Sequence, residues 1–130
     1  MTPEQRIEHY PAIEDLRQIA KRRMPHFAWE YLDSGTGLEK AVQRNRDALD
    51  KVMITPKGLK GFDKIKLNTS LFGNEYDLPF GISPVGMTGL MWPGAELMLA
   101  ETARKKNIPY CLSTVGCETP ESVGKIAQKN

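Results

Sequence analysis

The second half of the chain repeats one pattern, an apolar segment followed by a loop and an amphipathic helix, and this repeat restricts the fold more than any other feature. The apolar segments are 79–83 and 108–113, and Thr119 and Pro120 begin the second of the two helices. Strands joined through a helix run parallel, because the helix returns the chain to the starting end of the sheet. The repeat therefore predicts a βαβα unit with a parallel sheet.

The first fifty residues have the pattern of helices. Apolar residues recur there at spacings of three and four, which predicts an amphipathic helix. They are Ile13, Leu16, Ile19, Ala20 and Met24. A second, short helix is predicted from Phe27 to Leu32, between Pro25 and Gly35. A third is predicted from Leu38 to about Leu49.

The segment between these two halves predicts a short strand and a hairpin. Val52 and Ile54 are β-branched residues that favour a strand, and the Pro56–Gly58 stretch favours a turn after it. Gly73–Asn74 is a two-residue turn signal, and we expect the segments 70–72 and 75–77 on either side of it to pair as a hairpin.

Two parallel strands alone leave both faces and both edges of a sheet open. A (β/α)8 barrel needs roughly 250 residues, and this chain has 130. The predicted fold class is therefore α/β, namely the N-terminal part of a TIM (β/α)8 barrel that is incomplete in this chain and is preceded by a helical segment and a small hairpin. A flavodoxin-like sheet also begins with βαβα, but it does not usually carry such a segment first.

We expect residues 1–130 to form a single incomplete domain. It would comprise a helical lead-in at about 1–50, a strand and hairpin at about 51–78, and the first two βα units of the barrel at about 79–130.

The composition excludes some classes of function. The chain is 40% hydrophobic and 26% charged, with a net charge of +2, so no nucleic-acid partner is expected. Its two cysteines are too few for a disulfide scaffold, the first residues do not form a secretory signal, and no apolar stretch approaches the ~20 residues that span a bilayer. These features predict a cytoplasmic protein, with peripheral association with the inner membrane left open.

Ligands of α/β folds bind where the strands end. Those ends are residues 83–89 and 113–117, where Gly86 and Gly89 would let a flat ligand approach the backbone and Ser113 supplies a hydroxyl. The alternative is that small residues simply make tight loops, and spacing alone favours this alternative because most such loops carry no ligand.

Five segments, in order along the chain, carry a resemblance to one enzyme family. They are Phe27–Gly35, Asn45–Arg46, Leu78–Gly89, Trp92–Glu96 and Ile108–Thr114. Together they resemble the N-terminal part of the FMN-dependent 2-hydroxy-acid dehydrogenases and oxidases, the family that includes glycolate oxidase, L-lactate dehydrogenase and mandelate dehydrogenase.

The resemblance implies an FMN flavoprotein that oxidises a small L-2-hydroxy acid, such as lactate, to a 2-oxo acid. Oxygen, a quinone and a cytochrome all remain open as the electron acceptor, and the full-length enzyme is expected to be a homo-oligomer. Tyr31 matches the family tyrosine that contacts the substrate carboxylate. Pro84, Val85 and Gly86 match the loop whose backbone faces the flavin ring, and Ser113 matches the serine that hydrogen-bonds the flavin.

The family's catalytic histidine, its carboxylate-binding arginines, its flavin-stabilising lysine and its phosphate site lie later in the barrel. His9 and His26 match no catalytic motif, and Val115 stands where several oxidases have a tryptophan. No catalytic residue and no metal ligand is therefore predicted in this chain, and we expect the isolated chain to be an inactive fragment. The alternative is a small non-catalytic interaction protein derived from this fold, since an open sheet edge can pair with a partner strand.

Overall fold

The computed structural model describes residue 5 and residues 8–61 and 64–127. The chain divides into two compact units, Met1–Gly58 and Leu59–Asn130. The first contains the helices α1 (Ile13–Arg23), α2 (His26–Asp33) and α3 (Lys40–Asp50). The second contains the strands β1 (Thr69–Leu71) and β2 (Asn74–Tyr76) and the helices α4 (Thr88–Met91), α5 (Ala95–Lys106) and α6 (Pro120–Ala127).

The three predicted N-terminal helices are all present, with ends that differ by two residues or fewer from those predicted. At the start of α1 the backbone N–H of Ala12 donates to Asp15 Oδ2 at 3.0 Å, which satisfies an otherwise unpaired amide. Lys21, Arg22 and Arg23 form the last turn, where positive charge suits the helix dipole.

A bidentate ion pair joins α1 to α2. Arg17 donates from Nε to Asp33 Oδ1 at 2.7 Å and from Nη2 to Asp33 Oδ2 at 2.8 Å. Trp29 is 6% exposed beneath this pair, with the Arg17 guanidinium carbon 5.8 Å and Lys21 Nζ 5.9 Å from its ring centroid. The hydrogen bonds from Arg17 hold the pKa of the Asp33 carboxyl below its ordinary value. The two helices are therefore fixed to each other by one charged pair over one buried aromatic.

The predicted strand at Val52 and Ile54 is wrong. The backbone there is irregular, and the side chains of Val52, Met53 and Ile54 are 72%, 83% and 91% exposed. The turn that follows lies at Gly58–Leu59. A β-branched sequence favours a strand only when a neighbouring strand pairs with it, and among the described residues none does.

The predicted hairpin exists, but its turn lies one residue earlier than predicted. Thr69 pairs with Tyr76 and Leu71 with Asn74, which leaves Phe72–Gly73 as the two-residue loop. Both loop residues have positive φ, 49° and 77°. A type I′ turn requires this at both central positions and prefers glycine at the second, so Gly73 ends the turn instead of starting it.

The two predicted barrel strands pair in parallel, as expected, but over a much shorter length. The pairing is an isolated bridge between Ile82 and Tyr110. Ile82 N–H donates to Pro109 O at 2.8 Å, and Cys111 N–H donates to Ile82 O at 3.0 Å. Gly81 makes this approach possible, since a Cβ there would lie 2.6 Å from Pro109 O. The described part of the chain thus contains one parallel bridge where strands at 79–83 and 108–113 were predicted.

The helices that follow the two bridged segments pack on each other. Ala100 and Ala103 of α5 are 1% and 2% exposed, and Val123 of α6 is 6% exposed. Thr119 caps α6 as predicted, with its hydroxyl oxygen accepting from Ser122 N–H at 3.2 Å. At the other end of α5, Asn107 donates from its side chain to Asp77 Oδ1 at 2.7 Å, which ties the hairpin to the helix end.

No helix within the described ranges is both long and apolar enough to cross a membrane. Over those same ranges, no three His, Cys, Asp or Glu side chains are grouped so as to hold a metal ion.

Candidate functional site

The ends of the two bridged segments form the candidate site. We call residues 83–89, of which the last two are the first residues of α4, the first loop, and residues 113–117 the second loop. Their starting points are held together by the bridge between Ile82 and Tyr110. Farther along, Met87 N–H donates to Val115 O at 2.9 Å, so the loops are also joined to each other directly. Both loops therefore emerge at the same edge, as expected for the carboxyl ends of parallel strands.

The first loop presents open backbone. Pro84 and Val85 are exposed, Val85 at 40%, and Gly86 is partly exposed. The irregular backbone ends at Met87, which adopts a left-handed conformation with φ 51°, and α4 begins at Thr88. Ser83 is exposed as well, so the accessible part of the loop comprises Ser83, Pro84 and Val85, with Gly86 partly exposed.

Ser113 begins the second loop and organises it. Its hydroxyl oxygen accepts from Val115 N–H at 3.2 Å, and its carbonyl accepts from Gly116 N–H at 3.0 Å. A hydroxyl that accepts one hydrogen bond still has its own proton to donate. Ser113 thus offers a donor beside the open backbone of the first loop.

Gly89 has a different role from the one its position predicted. A Cβ at residue 89 would lie 2.8 Å from Cys117 Cβ and 2.9 Å from Glu96 Oε2. Glycine is therefore required there by the protein's own side chains, and the prediction that Gly89 admits a flat ligand is replaced by a packing role. For Gly86 the expectation of close ligand approach stays a prediction.

Glu96 is a buried carboxylate that the sequence reasoning missed. It lies in the first turn of α5 and is 1% exposed. Its Oε1 atom accepts from Gly89 N–H at 3.0 Å and from Cys117 N–H at 3.0 Å, one amide from each loop. A signal was present, since Glu96 shares the i, i+4, i+7 spacing of Ala100 and Ala103, the buried face of the helix.

Hydrogen bonds also explain the ionisation of Glu96. Burial opposes the charged form, but hydrogen bonds from the Cys117 amide, the backbone N–H of Glu96 itself, the Thr88 side chain and the Gly89 amide outweigh it and leave the pKa of Glu96 below its ordinary value. The Oε2 atom is buried and has no hydrogen-bond partner among the described residues. The amides of Gly89 and Cys117 thus hold the carboxylate through Oε1.

Tyr31, the predicted substrate-binding residue, lies on α2 in the first unit, and its side chain is 46% exposed. Trp29, two residues earlier, is buried, which is the reason that Tyr31 faces outward from the opposite side of the helix. The predicted cofactor residues belong to the second unit. Pro84, Val85 and Gly86 lie in the first loop and Ser113 in the second, and the two loops are hydrogen-bonded to each other through Met87 and Val115.

A groove of the second unit lies away from these residues. It has a volume of about 560 Å³ and is lined by the hairpin, α5 and α6, with Tyr76, Arg104 and Leu112 among its residues. None of the four predicted cofactor residues lines it. Size alone does not make it the functional site, since the open backbone and the Ser113 donor are at the loop edge.

The loop edge fits one edge and one face of a flat heteroaromatic ring. The backbone of residues 84–86 supplies a surface on which a ring can lie, and the Ser113 hydroxyl supplies one hydrogen-bond donor to it. The predicted residues therefore suit a flavin, and they include no group that would act as an acid or base on a substrate.

Three comparisons place these features among known proteins. The family model for FMN-dependent dehydrogenases matches residues 20–130. The chain is 36% identical over 108 residues to the L-lactate dehydrogenase of Caulobacter sp. (strain K31), which covers 82% of this chain and 28% of that protein.

Solved structures of similar proteins agree with the fold. A soluble mutant of the membrane-associated (S)-mandelate dehydrogenase from Pseudomonas putida matches with a TM-score of 0.82 at 32% identity, over 89% of this chain and 33% of that one. Mandelate oxidase matches with a TM-score of 0.84 at 28% identity, over 90% of this chain and 34% of that one. The chain thus spans about a third or less of the length of the proteins it matches.

Proposed function

The chain belongs to the FMN-dependent dehydrogenase family, and from that premise we propose that residues 1–130 are the N-terminal part of a flavoenzyme that oxidises an L-2-hydroxy acid to a 2-oxo acid. A lactate-like substrate is the first choice, because L-lactate dehydrogenases are among the similar proteins. In this proposal the family's TIM barrel begins with the two segments bridged at Ile82 and Tyr110, and the 130 residues form part of a single domain.

The observation that carries the proposal is the junction of the two loops. The hydrogen bond from Met87 N–H to Val115 O joins the loop that contains residues 84–86 to the loop that begins at Ser113, and this junction supports the assignment of these residues to one site. FMN, when bound, supplies a two-electron acceptor for the substrate. We assign to the 84–86 backbone the task of covering one face of the ring and excluding water there, and to the Ser113 hydroxyl a hydrogen bond that orients the ring.

Tyr31 is the proposed contact for the substrate. Its phenol is partly exposed on α2 and can donate a hydrogen bond to a carboxylate. This assignment rests on the match of Tyr31 to the family motif. A charge-assisted hydrogen bond of this kind would select substrates that carry a carboxylate.

The proton-accepting histidine, the carboxylate-binding arginines and the cofactor phosphate site that the family resemblance implies would all lie in the remainder of the barrel. The isolated chain is therefore proposed to be inactive. Oxygen, a quinone and a cytochrome are equally compatible electron acceptors. We further propose a cytoplasmic, homo-oligomeric enzyme, with peripheral membrane association as the second possibility for its location.

The proposal is tested with two proteins. One is residues 1–130, and the other, called the extended protein, carries these residues within a polypeptide of the relatives' length. Each is purified, titrated with FMN by flavin fluorescence and mixed anaerobically with lactate, glycolate or mandelate. We expect stoichiometric flavin and bleaching of its absorbance in the extended protein only.

Three results would each contradict a part of the proposal. An extended protein that binds no flavin would exclude a flavoenzyme and favour a non-catalytic interaction protein. A flavin-containing extended protein that no 2-hydroxy acid bleaches would keep the cofactor and exclude the substrate class. Bleaching by residues 1–130 alone would refute the proposed inactivity of the isolated chain.

A further inference from the structure

We infer that Glu96 is a positioning residue that holds the two cofactor-facing loops in register, and this inference rests on the proposed function. Its carboxylate is the point at which the loops meet in the interior. Oε1 accepts from Gly89 N–H and from Cys117 N–H, both at 3.0 Å, and these amides lie at the far ends of the first and second loops.

The charge makes this arrangement specific. A carboxylate that is 1% exposed is costly to bury unless polar groups compensate it, and two backbone amides do so here. If either loop moved away, the buried charge would lose half of its donors to Oε1. The carboxylate therefore opposes separate movement of the loops more strongly than a neutral side chain of the same size would.

The packing around these hydrogen bonds is close. Gly89 carries no Cβ, and one placed there would meet Cys117 Cβ at 2.8 Å and Glu96 Oε2 at 2.9 Å. The close contact of Gly89, Glu96 and Cys117 fixes the end of each loop. The other hydrogen bond between the loops, from Met87 N–H to Val115 O, lies nearer the proposed ring site.

These contacts imply that Glu96 acts on the cofactor indirectly, by fixing the positions of the two loops, and does not touch it. The first loop runs from Ser83 to the Glu96 contact at Gly89, so the position of residues 84–86 is set at one end by the parallel bridge and at the other by Glu96. The second loop is fixed in the same way, by the bridge before Ser113 and by Glu96 at Cys117.

The first experiment measures amide hydrogen exchange in residues 1–130 by NMR. In Glu96→Ala, we expect exchange at Gly89 and Cys117 to accelerate together by roughly tenfold to a hundredfold, the range for a lost hydrogen bond to a charged group. In Glu96→Gln an acceptor oxygen remains without its charge, so the acceleration should be smaller. Amides in the middle of α5, such as Ala103, should keep their rate, since a general loss of stability would accelerate all of them.

Glu101→Gln is the matched control. Glu101 lies on the same helix, but its side chain is 47% exposed and pairs with Lys105 at 2.8 Å. The control should leave the amide exchange rates of both loops unchanged. Uniform acceleration across α5 and both loops in Glu96→Gln, or no acceleration at Gly89 and Cys117 in Glu96→Ala, would overturn the inference.

The second experiment uses the FMN-loaded extended protein. Glu96→Gln should shift the visible absorbance bands of the bound flavin and weaken FMN binding by about threefold to tenfold. Glu96→Ala should cause a larger shift and a larger loss of affinity. Glu101→Gln should leave both the spectrum and the affinity unchanged.

The two experiments separate the possible failures. Faster exchange in both loops with an unchanged flavin spectrum and affinity would overturn the positioning role, although the proposed function would stand. A wild-type extended protein without FMN would refute the proposed function and this role together, whereas the exchange data would still decide whether Glu96 braces the loops.

Discussion

Replacing Gly81 with alanine is the most direct test of the parallel pairing on which the site depends. A Cβ at residue 81 would lie 2.6 Å from Pro109 O and 2.8 Å from Pro109 Cβ. The first of these is a backbone atom, so it cannot rotate away as a side chain would. In the variant, the segments that contain residues 81 and 109 must either keep this steric overlap or move apart.

Either response destabilises the second unit by a similar amount. Separation would break the hydrogen bonds Ile82 N–H to Pro109 O (2.8 Å) and Cys111 N–H to Ile82 O (3.0 Å), at about 0.5–1.5 kcal/mol each. If the overlap were kept, the steric strain would cost about 1–3 kcal/mol. Alanine recovers about 0.5 kcal/mol by restricting the unfolded chain. The free energy of unfolding should therefore fall by about 1.5 kcal/mol.

Gly124→Ala is the matched control, because it makes the same chemical change on α6. No atom lies within 4 Å of a Cβ at residue 124, and its φ is not in the left-handed region. Alanine should therefore stabilise the unit by up to about 1 kcal/mol through helix propensity. Urea unfolding of residues 1–130, followed by far-ultraviolet circular dichroism, measures both changes. A Gly81→Ala variant as stable as the wild type, beside a stabilised Gly124→Ala, would refute the parallel pairing.

Two further predictions concern the first unit. In the extended protein, Tyr31→Phe should lower the turnover of 2-hydroxy acids by roughly tenfold to a hundredfold, through loss of a charge-assisted hydrogen bond, while flavin content stays constant; unchanged kinetics with every 2-hydroxy acid tested would assign Tyr31 a packing role. Arg17 lowers the pKa of Asp33 in the folded state, so this carboxylate contributes stability that is present above its unfolded pKa and is lost as the pH falls through the lower, folded value. Acid unfolding of Asp33→Asn, compared with the wild type, should show a weaker pH dependence in that interval, and identical pH profiles would contradict the assignment.

The helices could be predicted from the sequence because their limits depend on neighbouring residues. Pro25 precedes α2, and a proline at this position prevents α1 from continuing. Thr119 caps α6, because its hydroxyl oxygen accepts a hydrogen bond from the backbone N–H three residues later. These interactions involve only residues within about one helical turn of each other. The sequence signals for the helix ends therefore do not depend on the rest of the fold.

The strands were less predictable because pairing is not local. The residues around Val52 are of types that favour a strand, but they do not form one. The two segments bridged at Ile82 and Tyr110 are paired at one position only. A strand forms only where a neighbouring segment pairs with it, and the partners of these segments are not specified by their own residues. The direction of pairing was predictable, since the helical connection determines it, but the length was not.

The site shows the same division between local and distant interactions. The loops could be located from their glycines and hydroxyls, yet Glu96 depends on amides 7 and 21 residues away in the sequence. A charged residue can occupy the buried face of a helix only where such donors converge on it. Glu101 illustrates the contrast: it lies off the row that contains Glu96, Ala100 and Ala103, and it is exposed in an ion pair. A glutamate in register with buried alanines therefore indicates that backbone amides from other parts of the chain meet at that point.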